Sequence, residues 1–463
     1  MSEPVLDAFI DLSQRLRWSD VPASTRAMVK RELMDWVGAA IAGRAAMGMP
    51  PWLAVLTDCG GREEARVIGG PRVPAHVAAL CNGYFGHVLE FDDTHDEAVL
   101  HAGSAAIPAA LAAAGARGKL SGAQFCEAVL LGIELTCRLG VATRLNLVEG
   151  GWIYTALLGH FGAALAAARI LDGSPEVLRN ALGIVYCTAS GNHESTREGA
   201  PTKHVQPGFA ASNAILASLM ASRGLPGVKQ PLTGEDGLVR VYLHERFDAL
   251  RAVDALGERW ETDRLSFKPY PTCRLTHPAI SAALELRAKL GDKLAQVERI
   301  ELVVGPQAHD VVGRDIPERR TPVTRVAAQF SNYWTVAIAL AYGEVTPRHL
   351  AEEIPPTPTV RAWVAKISCA ADAATQGRDV GGCLIRAHGR FGVLEVEHAN
   401  AKGHPDFPLS DDELLEKFVA NARYAGMARP EATRLARLVS ELDDTDDATV
   451  LGEALCAAGA GRR

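Results

Sequence analysis

Apolar residues recur at helical spacing through most of the first half of the chain. Across residues 23–43, Val29, Leu33, Trp36, Val37, Ala40 and Ile41 share one stripe of a 3.6-residue period, with Gly43 as a stop. That spacing predicts an amphipathic helix. Residues 74–91, 104–116, 121–139, 153–171 and 175–190 predict further helices, mostly rich in alanine and leucine. Small residues let helices approach closely, so these segments predict a compact bundle.

The pattern changes after about Phe247. Residues 297–305, VERIELVVG, interleave Val297, Ile300, Leu302 and Val304 with charged positions, as a half-exposed strand does. A helix over 278–290 precedes it and another over 326–343 follows. Residues 366–371 predict a strand, and 382–397 hold two β-rich runs around His388, Gly389, Arg390 and Phe391. The helical pattern then resumes: Ser410 to Glu413 form a capping sequence before a helix over 414–425, and a second helix follows over 430–442. The tail, residues 451–463, is expected to fray. The predicted fold class is mainly α, with a large all-helical domain formed by both chain ends, 1–265 and 401–463, and a smaller inserted α+β domain over 266–400.

Composition narrows the function classes. The 463 residues suffice for a sizeable core, and 48% hydrophobic with 22% charged residues is the balance of a globular chain. A formal charge of -7 provides no basic field, so nucleic acid is not an expected partner. The nine cysteines include no CxxC pair, which argues against a disulfide framework or a zinc knuckle. The first residues do not read as a secretory signal, and no run reaches ~18 strongly apolar residues. A cytoplasmic protein with no membrane partner is therefore expected.

Three polar islands interrupt the apolar pattern. Asn82 to Gly103, NGYFGHVLEFDDTHDEAVLHAG, packs three histidines and five acids between apolar segments. If the helix runs on through Phe91, His87, Glu90 and Thr94 share a face. Asp92 and Asp93 equally suit a helix cap. The second island, 191–208, carries His193, Arg197, Lys203 and His204 in a loop punctuated by glycine and proline, either a site or a solvated loop. The third, 266–277, carries Lys268, Arg274 and His277 around two prolines, either a site or a wet interdomain connection.

Together, His87-Val88-Leu89-Glu90-Phe91-Asp92-Asp93-Thr94, His101, Thr202-Lys203-His204 with Gly208, Lys268-Pro269-Tyr270-Pro271 and Asn400-Ala401-Lys402-Gly403 resemble the signatures of the MmgE/PrpD family. The resemblance extends in order over most of the chain. It implies a helical domain with an α+β lid, a homodimer, a small anionic substrate, and neither metal nor organic cofactor. Its active site maps to Glu90, Thr94, His101, Lys203 and Lys268. His87, Asp93, His204, Tyr154, Arg274 and Tyr333 are further candidates for substrate contact. His95 and Asp92 could serve as metal ligands, but no Asp/His/Cys set at fixed spacing supports them.

The family implies a lyase, either a dehydratase or a decarboxylase, acting on a small di- or tricarboxylate. Proton removal beside a carboxylate builds negative charge, which Lys203 and Lys268 would face. His101 would be the acid or base, oriented by Glu90 and Thr94. Two departures stand out: Glu90 where the family usually has Asp, and Ile153 where it has a histidine two residues after the glycine matching Gly151. The first moves a carboxylate by about a bond length. The second removes an acid or base, although Tyr154 is adjacent. An epimerase or isomerase of an iminodisuccinate-like dicarboxylate is the alternative, and an inactive carboxylate-binding homologue a further one.

Overall fold

The computed structural model describes residues 3–350, 357–375 and 380–457. The helices that position the site are α1 (Ala23–Met47), α2 (Ala75–His87), α3 (Gly103–Arg117), α4 (Gly122–Ala142), α5 (Gly159–Leu171), α6 (Thr202–Ala221), α7 (His277–Leu290), α8 (Asn332–Tyr342) and α9 (Asp411–Tyr424). The chain is mainly α, as its periodicity predicts. One apolar core gathers residues from Val5 to Phe267 together with Leu409 to Leu455. A second gathers Cys273 to Val396.

The strands are β1 (Ala65–Arg66), β2 (Arg72–Val73), β3 (Thr94–His95), β4 (Leu265–Ser266), β5 (Val297–Val304), β6 (Ile367–Ala371), β7 (Cys383–Gly389) and β8 (Gly392–His398). The second core is built on one sheet of order β6-β5-β7-β8. Strands β5 and β6 are parallel, while β7 is antiparallel to β5 and β8. Ile300, Leu302 and Val304 of β5 are buried, which realises the alternation read from the sequence. Arg390 and Phe391 form the turn of the β7–β8 hairpin, where Gly389 pairs with Gly392. Short β3 and β4 pair antiparallel, Thr94 opposite Ser266, and so join the first and third polar islands directly.

Small residues set the helix approach that matters most. A Cβ at Gly83 of α2 would lie 2.7 Å from the Gly208 Cα of α6, and one at Gly208 would lie 2.5 Å from the Leu80 carbonyl oxygen. Only glycine fits at either position. One helical turn beyond Gly83 lies His87, and one turn before Gly208 lies His204, beside Lys203.

Two expectations about the chain ends and the apolar runs change. The expected frayed tail begins as helix over Thr449–Ala457, with Leu451 and Leu455 buried, while residues 458–463 lie outside the described part. The run Tyr154–Leu171 is long and apolar enough to cross a membrane, at mean hydropathy 1.3, yet 89% of it is buried inside the protein.

Within that run, His160 is fully buried, donates from Nδ1 to the Ala156 carbonyl at 2.7 Å and faces the Asn213 amide at 3.3 Å through Nε2. Burial pushes its pKa down to about 4. The unfolded chain, with histidine near ~6.5, therefore binds more protons than the folded one between those values. Stability associated with His160 is present above ~6.5 and is lost as pH falls towards 4. His160→Gln should flatten the fall in melting temperature over that window, as measured by calorimetry.

Candidate active site

The Gly83–Gly208 contact delivers Lys203 to the end of α2. Its ammonium donates to His87 Nε2 at 2.6 Å and to Glu90 Oε1. Since Nε2 accepts, Nδ1 carries the hydrogen that His87 shares with Asp92 Oδ2 at 2.7 Å. The Ser104 hydroxyl also donates to Asp92. Lys203 and His204 lie in the first turn of α6 rather than in the loop expected from the surrounding Gly and Pro. Pro207 falls within this helix near its start, where it sacrifices one backbone bond and leaves the helix running.

Helix α2 stops at His87, short of the predicted Phe91. Glu90 takes a left-handed backbone, φ +51°, with its N–H bonded to the His87 carbonyl. A non-glycine residue in that region is uncommon and needs support from its surroundings. Here the support is ionic. Lys268 donates to the Glu90 carbonyl at 3.1 Å and lies 3.6 Å from its carboxylate. His204 Nε2 is 3.2 Å from Oε1. Thus His87, Glu90 and Thr94 converge through a turn and the β3–β4 pairing, not along one helix face.

Burial alone would raise the Glu90 pKa, but Lys203, His87 and Lys268 outweigh it and hold the carboxyl well below its usual range. Asp92 is likewise held low: its burial is opposed by His87, His101 and Lys268. Lys268 is fully buried and 3.8 Å from Asp92, so both lysines sit against carboxylates. Buried charges persist only with such partners.

His101 stands at the start of α3. Its backbone N–H donates to Thr155 Oγ1 at 3.0 Å, and its Nδ1 lies 2.5 Å from the Asp93 carbonyl and 3.2 Å from Thr94 Oγ1. A carbonyl only accepts, so Nδ1 carries the hydrogen and Nε2 keeps its lone pair. Nε2 is 3.9 Å from Glu90 Oε2. Burial first, then Lys268, pushes the His101 pKa down to about 3.

Other sequence candidates find different work. Asp93 caps α3 by accepting from Ala102 and Gly103, the plainer of the two readings, so its carboxylate is not presented for substrate contact. Arg274 chelates Asp96 at 3.0 and 2.8 Å and donates to the Lys402 carbonyl at 3.1 Å, a buried strut between the two cores. The Tyr154 hydroxyl donates to the Leu145 carbonyl at 2.7 Å, so it does not replace the imidazole missing at Ile153. Tyr333 is buried in the second core under Arg320, whose guanidinium is 4.4 Å from its ring, and it does not line the cleft. Lys268, Arg274 and His277 are all buried, which removes the picture of a wet connection.

The cleft is lined by Glu90, Thr94, His101, Lys203 and Arg274 with Trp152, Ile153, Tyr154, His193, Thr196, Leu275 and Phe330 among others. Its cavity volume is about 70 Å³. Sequence reasoning did not assign Trp152, Thr155 or Thr196 to the site, because these polar positions lie singly in apolar or loop sequence. It also missed Lys417 of α9, which donates to Asp35 at 2.5 Å and to the Phe91 carbonyl at 2.8 Å, pinning the chain just past Glu90.

A potential metal set also escapes linear spacing: ligand atoms of His87, Glu90 and His101 lie within 4.8 Å of one another. The Lys203 ammonium is bonded to two of these residues, so an added cation would meet a resident positive charge. The donor set suits proton transfer better than metal binding. Asp92 and His95 do not converge either, since His95 turns to Glu261 at 3.3 Å.

A mainly helical protein with a buried lysine, histidines and a carboxylate meeting in a small cleft between two cores, and a second lysine, Lys268, buried behind that carboxylate outside the cleft lining, is the class defined by this geometry. More particularly, the MmgE/PrpD N-terminal domain model matches residues 8–249 and the C-terminal domain model residues 270–444, so the chain belongs to the MmgE/PrpD family. It is similar to the cis-aconitate decarboxylase-like protein oryM of Aspergillus oryzae, at 27% identity over 87% of each chain. It is also similar to cis-aconitate decarboxylase of Aspergillus terreus, at 28% over 71% of this chain and 70% of that one. The Homo sapiens cis-aconitate decarboxylase is 28% identical over 91% of this chain and 88% of its own length.

Proposed function

We propose that the protein is a lyase that moves a proton beside a carboxylate of a small di- or tricarboxylate, releasing water or carbon dioxide. The observation that carries this reading is His101 Nε2, with its lone pair, in one cleft with the Lys203 ammonium. In dehydration, Nε2 takes a proton from the carbon next to a carboxylate, and the C–H electron pair moves towards that carboxylate. Lys203 and Lys268 lower the cost of the resulting charge. The electrons then return to form the carbon–carbon double bond as hydroxide leaves, and the imidazolium formed at His101 gives its proton to that hydroxide, which departs as water. In decarboxylation the carbon–carboxylate bond breaks instead, and the carbon left behind takes its proton from the Lys203 ammonium, since His101 Nε2 carries none.

Glu90 and Asp92 balance the lysines, and Thr94 fixes the imidazole. The segment 266–400, which carries the second core, serves as the lid over the body formed by 1–265 and 401–463. The setting taken from the family resemblance is a metal-independent homodimer, and the cysteine usage and apolar pattern of the sequence add a cytoplasmic location. Membership of the family and the names of the relatives support the lyase class.

Ile153 favours a second reading. With an apolar wall at that position, His101 and Lys203 are two candidate proton carriers in the cleft, and an epimerase needs two such groups on opposite faces of one carbon. Chelator-treated protein incubated with citrate-, aconitate- and iminodisuccinate-like acids in heavy water, followed by NMR, distinguishes them. Loss of water or carbon dioxide is the expected result. Deuterium exchange without net change would move the assignment to the epimerase, and silence with every acid would leave a binding protein.

A further inference from the structure

In the same cleft as Lys203, three polar groups have no assigned work. His193, Thr196 and Trp152 all line the cavity. His193 is 7% exposed and Thr196 only 1%. His193 Nδ1, Thr196 Oγ1 and Trp152 Nε1 are buried, and none has a hydrogen-bond partner among the described residues. A buried polar atom left unpaired costs on the order of 1–3 kcal/mol. Three of them beside one cavity call for a ligand that satisfies them together.

The groups are held rather than loose. The segments carrying them are stitched by Trp152 opposite Asn192, Ile153 N–H to the Gly191 carbonyl at 3.1 Å, and His193 N–H to the Gly151 carbonyl at 2.9 Å. Gly191 is required there: its φ is +148°, and a Cβ would lie 2.9 Å from the Ile153 carbonyl oxygen. Gln206 of α6 brackets the same segment, accepting from Asn192 N–H at 2.8 Å and donating to Ser195 Oγ at 2.9 Å. The Trp152 ring packs against Tyr242 in a tilted arrangement, with centroids 4.9 Å apart.

Their chemistry is that of an acceptor's host. The indole N–H only donates, while the threonine hydroxyl and a neutral imidazole can each donate once. Burial, and then the positive charges of Arg197, Lys203 and Arg319, push His193 down to about 4, so the charges acting on it are cationic. Donors in a positive potential suit an anion with several acceptor atoms.

We propose that His193, Thr196 and Trp152 form a second carboxylate subsite, which holds the distal carboxylate of the substrate while its reacting end lies at His101 and Lys203. This deepens the lyase reading and rests on it. A substrate with one carboxylate at the reacting end and an alkyl group at the other would leave the three donors unpaired, so the cleft selects for a carboxylate at both ends.

The test compares two acids that share a core: cis-aconitate, and citraconate, in which a methyl group replaces the carboxymethyl arm. Calorimetric titration of the full-length wild type should give at least roughly tenfold tighter binding of cis-aconitate, the difference expected from hydrogen bonds to a charged group. Thr196→Val keeps shape, Trp152→Phe keeps an aromatic ring, and each removes one donor. Each should weaken cis-aconitate severalfold, leave citraconate nearly unchanged and preserve the melting temperature. His193→Gln, which keeps a donor, should retain more of the preference than His193→Leu. Equal or tighter binding of citraconate by the wild type, or equal weakening of both acids in the variants, overturns the subsite. So does absence of binding by both acids at millimolar concentration. Binding with the expected ratio but no turnover of either these acids or the wider panel upholds the subsite and overturns the lyase reading instead.

Discussion

His101→Ala is expected to lower kcat by roughly 100-fold or more, the usual contribution of a positioned acid or base. The residue's backbone is anchored on Thr155 and the adjacent helix is capped by Asp93, and neither uses the imidazole. Little change in melting temperature should accompany the loss, so the two readouts separate chemistry from folding. The wild-type pH profile adds a second check. Because burial and Lys268 push His101 down to about 3, its basic form persists below pH 6 in the free enzyme. The acid limb of kcat/KM due to this group should therefore lie well below ~6.5, where an exposed histidine would place it. Turnover by His101→Ala within a few-fold of wild type would remove the imidazole from the mechanism.

Lys203→Met is the second large effect, expected to act on stability and activity together. The ammonium bonds both Glu90 and His87, and its side chain is 5% exposed. Removing one member of a buried ion pair typically costs about 3–5 kcal/mol, because the other charge stays buried without its partner. Lys268, 3.6 Å from the same carboxylate, should keep the loss near the lower end of that range. Adding Glu90→Gln removes the stranded charge, so the double variant should recover much of the unfolding free energy in urea titrations while remaining inactive. Additive losses in that cycle would show that the two side chains do not depend on one another.

Much of the scaffold was legible because local and tertiary preferences agree. The stripe from Val29 to Ile41 lies buried in α1, and Ser410 with Glu413 makes the capping box that opens α9. The alternation in VERIELVVG becomes β5. At the site these levels diverge. The sequence HVLEF permits helix, but the lysines brought from residues 203 and 268 hold Glu90 in a turn that no local rule anticipates. The proline and glycine around Lys203 read as loop, yet packing against α2 sustains a helix there. Arg274 lines the cleft, as its composition suggests, while its guanidinium is bonded to Asp96. Trp152 and Thr196 gave no signal because their meaning lies in what they fail to bond.

The seam where Gly83 meets Gly208 has a practical corollary for anyone redesigning this protein. Exchanging glycine for alanine inside helices is a common recipe for thermal hardening. Here an added methyl would act as a shim between two rods and tilt the amine away from its imidazole. The toughness sought and the catalyst wanted would be traded against each other at a single carbon atom.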